Sequence, residues 1–131
     1  MRVPSDVLKH TLAARVLRYG SRLGDGSTGI YSQNDIGALM TVVVNRSDDN
    51  CRFTLDHEGS LGLVYTRQTL LTKDVVPSQC AQIVNVGVPI TGQWRGTSKY
   101  RWQHGSMKER HAPGIFSKGL HDPIKLSDIT V

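Results

Sequence analysis

Met40-Thr41-Val42-Val43-Val44-Asn45-Arg46, followed by Cys51-Arg52-Phe53-Thr54-Leu55-Asp56 and then Val64-Tyr65-Thr66, is the stretch that decides the fold class. Its apolar residues recur with a period near two, the spacing of a strand that turns one face to a core and the other to water. In the second segment Phe53 and Leu55 face inward while Arg52 and Thr54 face outward. Further short segments of this kind lie at about 38–45, 51–56, 61–66, 80–88 and 98–104, each bounded by polar or glycine-rich turns. The run from Asn45 to Asn50 is dense in turn formers and predicts a hairpin between the first two strands, and 56–60 is the next turn. Tyr100 and Trp102 alternate with Lys99, Arg101 and Gln103, the pattern of a half-buried strand with a basic outer face. The shared inward phase predicts one core of Phe53, Leu55, Leu63, Tyr65, Val84, Val86, Tyr100 and Trp102.

Upstream, Pro4-Ser5-Asp6 precedes Leu8, Leu12, Val16 and Tyr19 at helical spacing. This predicts one amphipathic helix over about 5–19, capped by Ser5, stopped by Gly20 and packed on the sheet. Gly24 to Gly29 matches G-x-G-x-x-G, but it follows a helix and precedes the extended Ile30-Tyr31-Ser32, so it reads as a connector and not as a dinucleotide-binding turn. Downstream of a β-rich body over about 30–105, Pro113, Gly119 and Pro123 make 106–131 an irregular basic tail. The expected fold is mainly β or α+β: a single antiparallel sheet or small β-sandwich of about five to seven strands with one N-terminal helix. With 131 residues, one domain spanning the chain is expected, large enough to bury a core without metals or disulfides.

Sixteen Lys and Arg against 11 Asp and Glu give a net charge of +5, and the excess sits at the two ends. Arg2, Lys9, Arg15, Arg18 and Arg22 face only Asp6 in the first 22 residues, and Arg95, Lys99, Arg101, Lys108, Arg110, Lys118 and Lys125 outnumber Glu109, Asp122 and Asp128 after residue 93. Such a field favours anionic partners. The two cysteines, Cys51 and Cys80, have no C-x-x-C spacing, which points to a reducing compartment. No run of about 18 apolar residues is present, so no membrane span is expected. The N-terminus has neither an apolar secretory core nor the Met-Gly start of a myristoylation signal. A cytoplasmic location is expected, with the basic, amphipathic N-terminus leaving a mitochondrial presequence as the lesser alternative.

Candidate chemistry is sparse. Cys51 and Cys80 fall on apolar strand patterns, where a thiol behaves as a small hydrophobe and lacks the base a nucleophile needs. His104, His111 and His121, with Asp122, have no zinc-ligand spacing. Asp48, Asp49 and Asn50 lack the spaced oxygens and terminal Glu of a calcium loop. Neither G-x-S-x-G nor a P-loop occurs, and neither enzyme activity nor a cofactor is expected. Trp94-Arg95, Lys99-Tyr100-Arg101-Trp102 and Lys108-x-Arg110 interleave bases with aromatics, as single-strand binding grooves do, although strand alternation sends Tyr100 and Trp102 to the face opposite Lys99 and Arg101.

Val42-Val43-Val44-Asn45-Arg46, then Val64-Tyr65-Thr66-Arg67-x-x-Leu70-x-Thr72-x-Asp74-x-Val76-Pro77, then Gln82, His111-x-Pro113 and Gly119-Leu120-His121-x-Pro123 resemble the C-terminal homology domain of the small-optic-lobes calpains, over about 37–126. In that family the domain follows a papain-like protease core and is not the proteolytic part. The resemblance therefore implies a non-catalytic accessory or protein-interaction module, with a basic nucleic-acid-binding domain as the alternative. Arg67 and Asp74 are placed to pair across the loop between strands, and Pro77 to end that loop before the Cys80 strand. Loop residues of this kind either tie the loop down or meet a partner. The candidate binding residues are Arg15, Arg18, Arg67, Lys99, Arg101 and His121, with Arg15, Arg18, Lys99 and Arg101 expected on one surface that receives an acidic protein.

Overall fold

A computed structural model describes the backbone of residues 5–22, 28–33, 37–104 and 119–129, and their side chains except at 5–7, 28 and 102–104. Helix α1 (Ser5–Tyr19) leads into strands β1 (Ser21–Arg22), β2 (Thr28–Gln33), β3 (Leu39–Asn45), β4 (Cys51–Asp56), β5 (Leu63–Tyr65), β6 (Leu71–Val76), β7 (Cys80–Pro89), β8 (Lys99–His104) and β9 (Ile124–Lys125), with a 3₁₀ turn at Leu126–Asp128. They form two antiparallel sheets. The first runs β1-β2-β3-β7-β5, with β9 also paired to β7, and the second runs β6-β4-β8.

From β3 onward each successive strand lies in the other sheet. The hairpin expected between β3 and β4 does not form: β3 pairs with β2 and β7, and β4 with β6 and β8. The cause lies in β3, whose seven residues are all buried. A strand apolar on both faces needs a layer above and a layer below, so the chain leaving it folds over the sheet instead of alongside. Asn45 makes that crossing. Its Nδ2 donates to Asp49 O at 2.8 Å and to Val76 O at 3.0 Å, while its Oδ1 accepts from Ser47 N at 3.0 Å. One buried amide thus closes a turn and links the two sheets.

The layers enclose two apolar clusters. On one face of the first sheet, Ala13 and Val16 of α1 pack with Tyr31, Met40, Val42, Val44, Ala81, Ile83, Val86 and Ile124. On the other, Ile30, Val43 and Val84 meet Phe53, Leu55 and Val76 of the second sheet. The single expected core is therefore two, and its members divide: Phe53, Leu55 and Val84 lie in the inter-sheet cluster and Val86 in the helix-facing one. Tyr65 is buried outside both, Leu63 is half-buried and Tyr100 is 42% exposed at a sheet edge. The Trp102 side chain falls outside the described residues.

The helix turns half of the expected stripe inward, since Val16 is buried and Leu12 packs against the core. Leu8 and Tyr19 are exposed, whereas Lys9 and Ala13 are buried beside Val16, because a small residue at Ala13 lets the helix approach the sheet closely. Gly20 ends it as expected, donating to Val16 O at 2.7 Å. A Cβ on Gly20 would stand 2.8 Å from the Ser32 carbonyl oxygen, so the glycine lets the helix end rest on β2. The Ser5 cap and most of the 24–29 loop lie outside the described side chains, although Gly29 itself belongs to β2. The tail is irregular around Gly119 but returns as β9.

Candidate functional site

A β-bulge organises the interior. Val42 pairs with Ile83 and Thr41 with Asn85, leaving Val84 as the extra residue on β7. A bulge disturbs the ladder locally, and its backbone groups need other partners. Arg67, just after β5, supplies one: its Nε donates to Val84 O at 3.1 Å. His121, entering from the segment before β9, supplies another by donating from Nδ1 to Ile83 O. A carbonyl only accepts, so the proton sits on Nδ1, and His121 Nε2 accepts the Thr66 hydroxyl at 2.9 Å.

The same arginine reaches across to the second sheet. Its Nη2 lies 3.0 Å from Asp74 Oδ2 of β6, with both side chains buried. Asp74 Oδ2 also accepts from Gln82 Nε2 at 2.8 Å, and its Oδ1 accepts from Val75 N at 2.8 Å. Asn85 Oδ1 receives the Arg67 and Val86 amides at 3.3 and 3.1 Å. This is a polar brace inside a sandwich, with the ionic pair held by several hydrogen bonds. Burial pushes the His121 pKa down to about 4; the Ile83 carbonyl pulls the other way, and the Arg67 charge adds to the lowering. The imidazole is neutral at physiological pH.

A second buried cluster closes the far end of the second sheet. The His57 ring stacks on Tyr65 with centroids 4.3 Å apart, and its Nδ1 donates to Thr97 O at 2.9 Å. Ser60 Oγ lies 2.8 Å from the Tyr65 hydroxyl and accepts the Thr97 amide at 3.0 Å. Burial lowers the His57 pKa, against the Thr97 hydrogen bond, and raises that of Tyr65. These contacts pin the β4–β5 turn to the segment before β8.

The open charges lie on the outer face of the second sheet. Because Phe53 and Leu55 fill the core, Arg52, Thr54 and Asp56 of β4 face outward. Strand partners share a face, so Thr54 is flanked by Lys73 of β6 and Arg101 of β8, and Asp56 by Leu71 and Lys99. Arg52, Lys73, Lys99 and Arg101 are all exposed. Long side chains on the two edge strands and short ones on the central strand leave a trough of about 380 Å³, lined by Thr54, Asp56, Leu71, Lys73, Lys99, Tyr100 and Arg101.

The expected binding residues are thereby sorted. Arg67 and His121 are interior and tie segments together, Arg67 in the pairing with Asp74 that the sequence suggested. Arg15 and Arg18 are exposed on α1, with Arg18 5.3 Å from the Tyr19 ring centroid. Lys99 and Arg101 are exposed on the side of the second sheet that faces away from the first. Two sheets separate the pairs, so the four cations do not form one surface. Lys73 and Arg52 complete the strand-face patch and were not singled out by sequence. Lys73 sits in a segment expected to be loop, because β6 carries Thr72 and Asp74 on its inner face and shows no apolar alternation.

Cys51 is buried and Cys80 half-buried, and neither is in a disulfide. Among the described residues, no three His, Cys, Asp or Glu side chains gather as metal ligands; His111 lies outside those residues, as does the His104 side chain. Among the same residues, no helix is long and apolar enough to cross a membrane. No curated protein and no solved structure matches the chain. A family model described as Calpain-D-like, C-terminal domain matches residues 15–112, from the second half of α1 past the end of β8.

Proposed function

The chain belongs to the Calpain-D-like C-terminal domain family, and from that premise we propose that it is a non-catalytic accessory domain that binds a protein partner through the outer face of β6-β4-β8. The observation that carries this reading is the division of its polar groups. Arg67, Asp74, Thr66 and His121 are committed to one another and to the bulge, whereas Lys73, Lys99 and Arg101 stand exposed in one trough. Exposed cations on a rigid sheet contribute little to folding, and their effect is felt in association. Two cysteines outside any disulfide fit a reducing compartment.

Two measurements test the reading. Incubation with casein is expected to leave the substrate intact, and cleavage that disappears in Cys51→Ala or Cys80→Ala would contradict the non-catalytic role. Replacing Lys73, Lys99 and Arg101 together by Glu is expected to abolish association with a protein partner, while the same change at Arg15 and Arg18 leaves it intact. Tight binding of short RNA or DNA with a steep salt dependence would favour the nucleic-acid alternative.

A further inference from the structure

We propose that the trough on the outer face receives an extended acidic peptide in which two carboxylates flank one apolar residue. The inference rests on the protein-interaction reading above and adds the chemistry and spacing of the occupant. The trough runs along β4, with Thr54 and Asp56 as its floor. Lys99 and Arg101 form one wall, two residues apart on β8 and so about 7 Å from each other along the strand. Leu71 and Lys73 form the other wall, in register with them across the sheet.

A peptide lying extended along that floor sends alternate side chains to opposite walls, with the same rise per residue as the strands beneath it. Residues i and i+2 then meet Lys99 and Arg101, and carboxylates there form charge-assisted pairs, bidentate at the guanidinium. Residue i+1 turns to the opposite wall, where Leu71 is 45% exposed and accepts an apolar side chain. A further acid at i+3 falls to Lys73.

Asp56 sets the class of polyanion. Its carboxylate stands on the floor between Leu71 and Lys99, with Oδ1 accepting the Glu58 amide at 2.9 Å. A phosphate chain with one charge per nucleotide would run its charges past that carboxylate, and like charges at short range are repelled. A peptide backbone in the same place brings N–H donors instead. A lipid surface is flat and presents its headgroups to protruding cations, whereas here the cations border a trough of about 380 Å³.

Fluorescence anisotropy with a labelled Gly-Gly-Glu-Leu-Glu-Glu-Gly-Gly probe and the whole chain tests the inference. The expected result is salt-sensitive binding that weakens by about tenfold or more, the equivalent of about 1.4 kcal/mol, in Lys99→Ser/Arg101→Ser, and that Arg15→Ser/Arg18→Ser leaves unchanged. A probe of the same composition in the order Leu-Gly-Gly-Glu-Glu-Gly-Gly-Glu, in which no two carboxylates stand at i and i+2, is expected to bind about tenfold more weakly. Circular dichroism confirms that each variant keeps its fold, with Arg101→Gln as a milder second substitution. Equal binding of the two probes through Lys99 and Arg101 overturns the alternating motif while the protein-interaction reading stands. Binding of an oligonucleotide or of anionic lipid vesicles in place of either peptide, lost in the same variants, overturns both. Peptide binding indifferent to Lys99→Ser/Arg101→Ser removes the trough as its site.

Discussion

Arg67 Nη2 and Asp74 Oδ2 stand 3.0 Å apart in the interior, joining the segment after β5 in the first sheet to β6 in the second. The pair works because neither ion is left with its partner alone. Arg67 also serves the Val84 carbonyl at the bulge, and Asp74 also takes Gln82 and the Val75 amide. Thr66, Arg67, Asp74, Gln82 and His121, which stand among the residues that carry the resemblance, all belong to this brace. Those residues serve the sandwich, while the cations of the trough stand exposed on its outer face.

Asp74→Asn tests the brace. It leaves the Arg67 charge buried without a counterion, and loss of one partner from a buried pair costs about 3–5 kcal/mol. Urea unfolding is expected to show a lower midpoint with an unchanged slope. The double variant Arg67→Met/Asp74→Leu is expected to recover part of the loss, because no unpaired charge remains. A midpoint unaltered by Asp74→Asn would mean that the pair does not hold the sheets together.

His121 gives the fold an acid limit. Its pKa of about 4 in the folded state lies below the ordinary 6.5, so between those values the unfolded chain binds more protons. Stability is then complete above about pH 6.5 and falls as the pH drops towards 4, by about 3 kcal/mol for this residue. His57 is shifted in the same direction and adds to the loss. Unfolding measured across that window is expected to show a shallower pH dependence in His121→Gln than in the parent. Identical pH profiles would contradict the neutral, buried imidazole.

The two aromatic positions of the second sheet are expected to differ. Phe53 is 1% exposed in the inter-sheet cluster, and Phe53→Ala is expected to cost about 3–5 kcal/mol. Tyr100, 42% exposed at the β8 edge, is expected to cost less than half as much when truncated to alanine. Thermal unfolding of the two variants separates the cases, and equal losses would show that Tyr100 belongs to the core.

One strand with apolar alternation was legible residue by residue. β4 runs from Cys51 to Asp56 as read, with Phe53 and Leu55 inside and Arg52 and Thr54 outside. What the pattern does not contain is the partner of each strand. The turn formers from Asn45 to Asn50 predict a reversal, and a reversal occurs, but whether the next strand lies beside β3 or above it depends on β3 being buried on both faces. β6 escaped notice because two of its inward positions, Thr72 and Asp74, are polar, and Asp74 is held by Arg67 and Gln82 on the neighbouring segments. The Arg67–Asp74 pair was foreseen because opposite charges at that spacing imply a local contact, whereas Lys73 next to it reads as a loop cation until the register with Thr54 and Arg101 is known.

The central claim is that the outer face of β6-β4-β8 is the face that meets a partner. Amide chemical-shift mapping of the isotopically labelled chain, titrated with the Glu-Leu-Glu-Glu probe, tests it most directly. The account predicts shifts confined to Lys73, Lys99, Arg101 and their neighbours on β4, saturating with the probe, while Arg15 and Arg18 on α1 stay in place. Shifts centred on the α1 face, with 71–73 and 99–101 unmoved, would contradict it.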